Sequence, residues 1–363
     1  MAELVIKSDK IIKNVEKLNS LLFKHQVQWS LIVKVLSGHK DFLKKLLFHP
    51  VVNQLHSVGD SRISGLKIIK EINPDIITMY VKPPAMDNIK SIISYADISL
   101  NSSFRTIEAL NVEAGRQSKC HRIIIMIELG ELREGILREK VVDFYKKVFE
   151  LESIDIEGIG TNLGCMYGIQ PTYDKLLQMS LYKQLIEAKF NTTLPIISGG
   201  SSITLPLVGK SSMPKNINHL RIGETAFLGT SPFDNNRFKD LSTDAFEYLG
   251  NIIELELKET FPDGILTEGN IGHIAETEQL DYEQSYRAIL DFGILDVDVE
   301  ELKPKDKEIR FAGTTSDMSV YDLGPVQKDR KCRYKVGDKV KFTPSYMAVA
   351  RLMNSKFIDK QIL

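Results

Sequence analysis

Apolar residues recur in short, nearly continuous runs at 29–35, 54–58, 76–81, 97–100, 123–128, 156–160, 194–198 and 219–223. Runs of this length rich in Val, Ile and Leu, without alternation, predict strands buried on both faces. Between them the spacing changes to three and four. Ile11, Ile12, Val15, Leu18, Leu21 and Leu22 predict a helix over about 8–24, and similar patterns cover 140–150 and 173–189. Strands that alternate with helices imply a parallel sheet. Eight such units in about 200 residues imply a closed (β/α)8 barrel of the TIM type.

The pattern breaks after about residue 235. Short β runs follow at 252–257, 287–292, 309–312, 318–323 and 339–342, separated by Asp-Gly, Gly-Asp and Pro turns. The expected organisation is a barrel over 1–235 and a C-terminal all-β domain over 236–363. Residues 2–6 alternate weakly and predict a lone strand.

Composition narrows the function. Of 363 residues, 43% are hydrophobic and 26% charged, with a formal net charge of -1, which is ordinary for a globular protein and offers nothing basic enough for nucleic acid. No apolar stretch is long enough to predict a membrane span, and the start MAELVIKSDK lacks the apolar core of a signal peptide. Three cysteines, Cys120, Cys165 and Cys332, without C-x-x-C spacing predict a reducing, cytoplasmic setting and no metal site.

In a barrel, function gathers on the loops after the carboxyl ends of the strands. Trp29-Ser-Leu-Ile-Val-Lys-Val places Lys34 at the end of the first barrel strand. Burial there predicts a desolvated amine able to form a Schiff base with an aldehyde cofactor such as pyridoxal phosphate. The plain alternative is a lysine reaching out of a strand end. The seventh loop, Ser198-Gly-Gly-Ser-Ser202, and the eighth strand, Leu220-Arg-Ile-Gly-Glu224, have the glycines and hydroxyls of a phosphate cradle, or of ordinary turns.

Together with Gly59-Asp-Ser-Arg-Ile63, Glu128-Leu-Gly-Glu-Leu-Arg-Glu-Gly135, Gly160-Thr-Asn-Leu-Gly-Cys165, Thr315-Ser-Asp317 and Gly337-Asp-Lys-Val340, these stretches resemble the alanine racemase family of fold-type III pyridoxal phosphate enzymes. The likeness is greatest to its ornithine racemase-like branch and runs nearly end to end. It implies that Lys34 holds the cofactor and that Arg221 faces the pyridine nitrogen. It further implies cofactor contacts from Arg133, Asn162, Ser201, Ser202, Gly223, Glu224 (through its backbone) and Tyr346. The family resemblance also implies a homodimer whose β domain completes the partner's site.

The chain departs from the alanine racemase pattern in two places and from that of the ornithine branch in a third. Ser37-Gly-His39 stands where that family carries Tyr-Gly-His, and Ile294 stands where a catalytic tyrosine follows glycine. Met318 stands where the ornithine branch often has histidine. The expected activity is two-base racemisation of a long, cationic amino acid, with Asp296 and Asp298 either as partners for its distal ammonium or as solvated turn residues. Asp317 and Cys165 are the candidates for the second base. Another fold-type III reaction (aldolase, dehydratase or decarboxylase) or a non-catalytic cofactor-binding role stays open from sequence.

Overall fold

The computed structural model describes residues 1–265, 272–274, 282–325 and 332–363. The chain forms two compact units. One comprises Lys10–Thr243, the other Met1–Asp9 with Asp244–Leu363.

Strand β1 is Glu3–Ile6, helix α1 is Ser8–Lys24, and the first barrel strand, β2, is Gln28–Ile32. The remaining barrel strands are β3 (Ser57–Asp60), β4 (Thr78–Tyr80), β5 (Ile98–Asn101), β6 (His121–Met126), β7 (Ile154–Gly160), β8 (Ile196–Ser201) and β9 (His219–Ile222). They form a closed parallel barrel in chain order, with β9 pairing back onto β2 through Gln28↔His219 and Leu31↔Ile222. The helices of this unit are α2 (Lys40–Leu47), α3 (Ile63–Ile72), α4 (Ile89–Tyr95), α5 (Phe104–Arg116), α6 (Val141–Val148), α7 (Tyr173–Phe190) and α8 (Glu224–Leu228). Met79, Ile98, Leu100, Ile124, Met126 and Ile196 fill one side of the barrel interior. The other side is polar: Ser30 bonds Ser57 and His219 and touches the sulfur of Met79.

The second unit is built on strands β10 (Phe246–Glu259), β11 (Gln284–Leu290), β12 (Leu302–Pro304), β13 (Arg310–Thr314), β14 (Ser319–Pro325), β15 (Lys339–Pro344) and β16 (Asp359–Ile362), with helix α9 (Tyr346–Asn354). The sheet runs β12-β15-β10-β11-β14-β13, and β1 joins it. Tyr248, Phe292, Tyr321 and Phe342 stack at its core, and Gly250 lets the Phe292 ring approach, since a Cβ there would lie 2.6 Å from it.

The observed division differs from the expected one at both ends. β1 is not alone; it pairs antiparallel with β10 (Glu3↔Leu249) and parallel with β16 (Glu3↔Asp359), so the first residues belong to the β unit. Residues 236–243 stay with the barrel. Phe238 and Leu241 are buried, and Asn14 of α1 bonds both the amide and the carbonyl of Ser242, at 2.8 and 2.9 Å. Both shifts come from pairings between positions far apart in the chain, which local patterning does not register.

Candidate functional site

β2 ends at Ile32, two residues before Lys34. Val33 donates from its amide to the Gly59 carbonyl at 2.8 Å, and the chain then tightens into a 3-10 turn at Lys34–Leu36. Ser37 (φ 47) and Gly38 (φ 73) reverse it, and a Cβ on Gly38 would sit 2.8 Å from Ile68 Cδ1. His39 then caps α2, accepting from the Phe42 amide. Lys34 is therefore exposed, against the expectation of burial, because the strand stops short and lifts it clear of the packed layers.

Two carboxyl groups lie within electrostatic reach of Lys34. Asp60, at the end of β3, is 2% exposed. Burial pushes it up to about 6, while the Arg62 amide, donating at 2.8 Å, and the charges of Arg62 and Lys34 pull the other way. Burial likewise raises Glu224, and Lys34 opposes it. Sequence reasoning missed Asp60, although a carboxylate directly after a barrel strand was a readable signal.

Arg221 of β9 is 6% exposed. Its Nη2 donates to the Thr161 carbonyl at 2.7 Å and its Nη1 to the Ser198 hydroxyl. Burial draws it down to about 10, opposed by the charge of Glu134. It is still a cation at neutral pH.

The loop after β6 brings Arg133 against this region. Arg133 Nη1 lies 2.6 Å from Cys165 Sγ, and Arg133 pairs with Glu134. Burial works against the charge of Glu134, but the Arg133 guanidinium prevails and holds its carboxyl below the usual range. Glu131, 1% exposed, accepts the amides of Cys165, Met166, Tyr167 and Ile169 at 3.2, 2.7, 3.1 and 2.8 Å. One buried carboxylate thus shapes the loop that carries Cys165. Sequence reasoning missed this too, because nothing local links position 131 to 165–169.

Asn162 lies on the loop after β7, Ser201 ends β8, Ser202 opens the turn that follows, and Gly223 and Glu224 stand at the start of α8. Ser202 accepts from the Thr225 amide at 3.3 Å. Gly200 has φ +119, and a Cβ there would lie 2.6 Å from Thr204 Oγ1. Asn162 Nδ2 and Thr225 Oγ1 are buried without a hydrogen-bond partner. Each is an orphaned donor of the kind that an anionic, oxygen-rich group such as the phosphate of pyridoxal phosphate satisfies.

The remaining predicted residues belong to the β unit. Asp317 is exposed, and its Oδ1 accepts from Ser316 Oγ at 3.1 Å. Gly293 packs against this turn, where a Cβ would lie 2.5 Å from the Asp317 amide. Asp296 accepts from the Gly293 amide at 3.3 Å, and burial raises it, reinforced by the charges of Asp291 and Asp317. Asp298 is differently engaged, capping the turn at Glu300 (3.2 Å) and lying 3.6 Å from Arg351. Tyr346 opens α9 behind the cap of Ser345. Among the described residues, no group of three or more His, Cys, Asp or Glu is placed to hold a metal ion, and no helix is long and apolar enough to cross a membrane.

Comparison with known proteins gives concordant likenesses. The family model for the alanine racemase N-terminal domain matches residues 6–232. The chain is 32% identical over 362 residues to an ornithine racemase of Acetoanaerobium sticklandii, covering 99% of each chain. It is 29% identical over 364 residues to a lysine racemase of Thermotoga maritima, covering 98% of this chain and 97% of that one. Among solved structures, an alanine racemase from Bartonella henselae with covalently bound pyridoxal phosphate superposes with a TM-score of 0.71 at 14% identity, over 100% of this chain and 99% of that one. At that identity the likeness is one of fold.

Proposed function

The chain belongs to the alanine racemase family, and from that premise we propose that it racemises a basic amino acid, with ornithine and lysine as the first substrates to test. The observation that carries this reading is the end-to-end similarity to relatives named for ornithine and lysine. Pyridoxal phosphate, when bound, supplies an electron sink for charge developing at the substrate α-carbon.

Each residue then has a role that its setting supports. Lys34 holds the cofactor and moves the α-proton on one face; its exposure leaves the amine accessible. Arg221 faces the ring nitrogen as a donor only, since a guanidinium does not release its proton near neutral pH. Asn162, Ser201, Ser202 and the amides of Gly223 and Glu224 bind phosphate, with Tyr346 as a further phosphate contact. Arg133 holds Cys165 close and orients the substrate or cofactor. Asp317 is the first candidate for the second base and Cys165 the second, Ile294 being unable to serve. Asp296 receives the distal ammonium; Asp298, engaged with Arg351, is less available for it. Following the family resemblance, the site is completed by the β unit of a second copy in a homodimer. The three free cysteines fit a cytoplasmic enzyme.

The test is incubation with each enantiomer of ornithine, lysine and alanine in deuterium oxide, following α-deuteration and chirality. Deuterated product of inverted configuration from ornithine or lysine, with alanine inert, is expected. Turnover of alanine with ornithine and lysine inert would overturn the substrate assignment. Asp317→Asn should slow abstraction from one enantiomer while the other still exchanges through Lys34. Equal, modest losses in both directions would remove Asp317 as a base.

A further inference from the structure

The polar side of the barrel interior is a connected chain of hydrogen bonds. Arg221 Nη1 bonds Ser198 Oγ, Ser198 Oγ lies 2.8 Å from His219 Nδ1, His219 Nε2 lies 2.9 Å from Ser30 Oγ, and Ser30 Oγ lies 2.7 Å from Ser57 Oγ. Ser198, His219 and Ser30 are fully buried.

The direction of this chain follows from its first member. A guanidinium has no acceptor, so Ser198 Oγ accepts from Arg221. A hydroxyl has two acceptor sites and one proton, and in the arrangement that places that proton, Ser198 gives it to a bare His219 Nδ1. The ring proton then sits on Nε2 and is given to Ser30, whose own proton has Ser57 Oγ and the sulfur of Met79 in reach. His219 is neutral in one tautomer. Protonating it would leave the Ser198 proton without His219 as its acceptor and set a second cation near Arg221.

From this geometry we propose that His219 is a positioning residue for Arg221, locking the Ser198 hydroxyl as an acceptor and so fixing the guanidinium. A serine hydroxyl alone is a free rotor. With its proton taken by His219, its lone pair stays on Arg221. His219 and Arg221 are two apart on β9, so the strand period of two puts both on the same face. The other titratable and charged groups around His219 are His56, whose ring lies edge-on at 4.7 Å, and beyond it Glu157, 3.1 Å from His56 Nε2, with Arg122 also 3.1 Å from Glu157. Burial, with the charges of His56 and Arg221, keeps His219 well below the usual histidine range.

The inference rests on the reading that Arg221 faces the cofactor ring, and the experiment separates the two. In cofactor-free protein, nitrogen-15 correlation spectra of the histidine rings should show His219 with its proton on Nε2 across about pH 5 to 8. A proton on Nδ1, or a charged ring in that range, would overturn the relay. In the cofactor-loaded enzyme, His219→Leu and Ser198→Ala should each shift the visible absorption of the substrate-free form. Each should also raise the fraction of turnovers lost to keto-acid by-product about tenfold, about 1.4 kcal/mol. His219→Asn, whose amide oxygen can stand near the place of Nδ1, should restore both. Variants that lower the melting temperature but leave spectrum and by-product fraction unmoved would reduce His219 to a packing role. If His219→Leu does not fold, Ser198→Ala carries the test, since it removes one hydroxyl only. If Arg221→Gln moves neither spectrum nor partition, the cofactor-facing reading of Arg221 fails, whatever the tautomer of His219.

Discussion

Lys34 and Arg221 are both basic residues, one just past and one within neighbouring barrel strands, and the protein treats them oppositely. Lys34 is exposed, and among the described residues its amine makes no hydrogen bond, while its charge is felt by Asp60 and Glu224. Arg221 is buried with both terminal nitrogens bonded, and Ser198, one of its acceptors, is itself held by His219. A group that must bond covalently and carry protons needs free rotamers and access. A group that sets a constant field needs fixed geometry and exclusion of water. Freedom and fixation are thus assigned to different side chains.

The strongest way to break this contrast is Lys34→Ala. Racemisation should fall by about 10³-fold or more, given that proton transfer by a positioned group contributes ~10²–10⁴-fold. Stability should move by no more than about 0.5 kcal/mol, as for exposed sites. Turnover and urea midpoints check both halves, and a large stability loss would show that Lys34 also holds the fold.

Arg221→Gln should give the converse. It leaves buried acceptors with fewer donors, so an unfolding cost of about 1–3 kcal/mol is expected. Racemisation should fall less than in Lys34→Ala while by-product rises. Thermal unfolding and keto-acid assay read the two effects.

Glu131→Gln sharpens the contrast by loosening a second fixed element. Four amides share the Glu131 carboxylate, so the loss should be about 2–3 kcal/mol. Burial raises this carboxyl, but the amides of Met166, Tyr167, Ile169 and Cys165 outweigh it and hold it below its usual range. A carboxyl depressed in the folded state stabilises above its unfolded value and loses that contribution as pH falls through the folded one. The gap between wild type and variant should therefore be full at neutral pH and shrink below about pH 4.3. A gap independent of pH would mean that packing, not charge, is at stake.

The smallest effect concerns the β unit. Asp296→Asn should raise KM for ornithine about fivefold, on the order of 1 kcal/mol for one partly solvated charge pair, with little change in kcat. Asp298→Asn should leave KM alone, because Asp298 is engaged with Arg351 and Glu300. Equal KM changes in both variants would deny Asp296 its role.

The hydrophobic pattern determined much of this. Eight apolar runs became eight barrel strands, since runs that must be buried on both faces, with helical segments between them to cover them, suit a closed parallel sheet. The helix expected over 8–24 lies at Ser8–Lys24 and that over 173–189 at Tyr173–Phe190. The motif residues on loops after strands were readable for the same reason: the barrel dictates which ends carry chemistry. Tertiary structure alone decided what surrounds them. It moved β1 into the β sheet, lifted Lys34 clear of the strand, buried Asp60 beside it, and joined Glu131 to a loop more than thirty residues away. It also set His219 behind Ser198, an acceptor of Arg221, although in sequence His219 is just one polar residue opening an apolar run. Patterning reports burial one residue at a time. Hydrogen-bond direction, desolvation and register depend on pairs far apart in the chain, and those exist only once the chain has closed on itself.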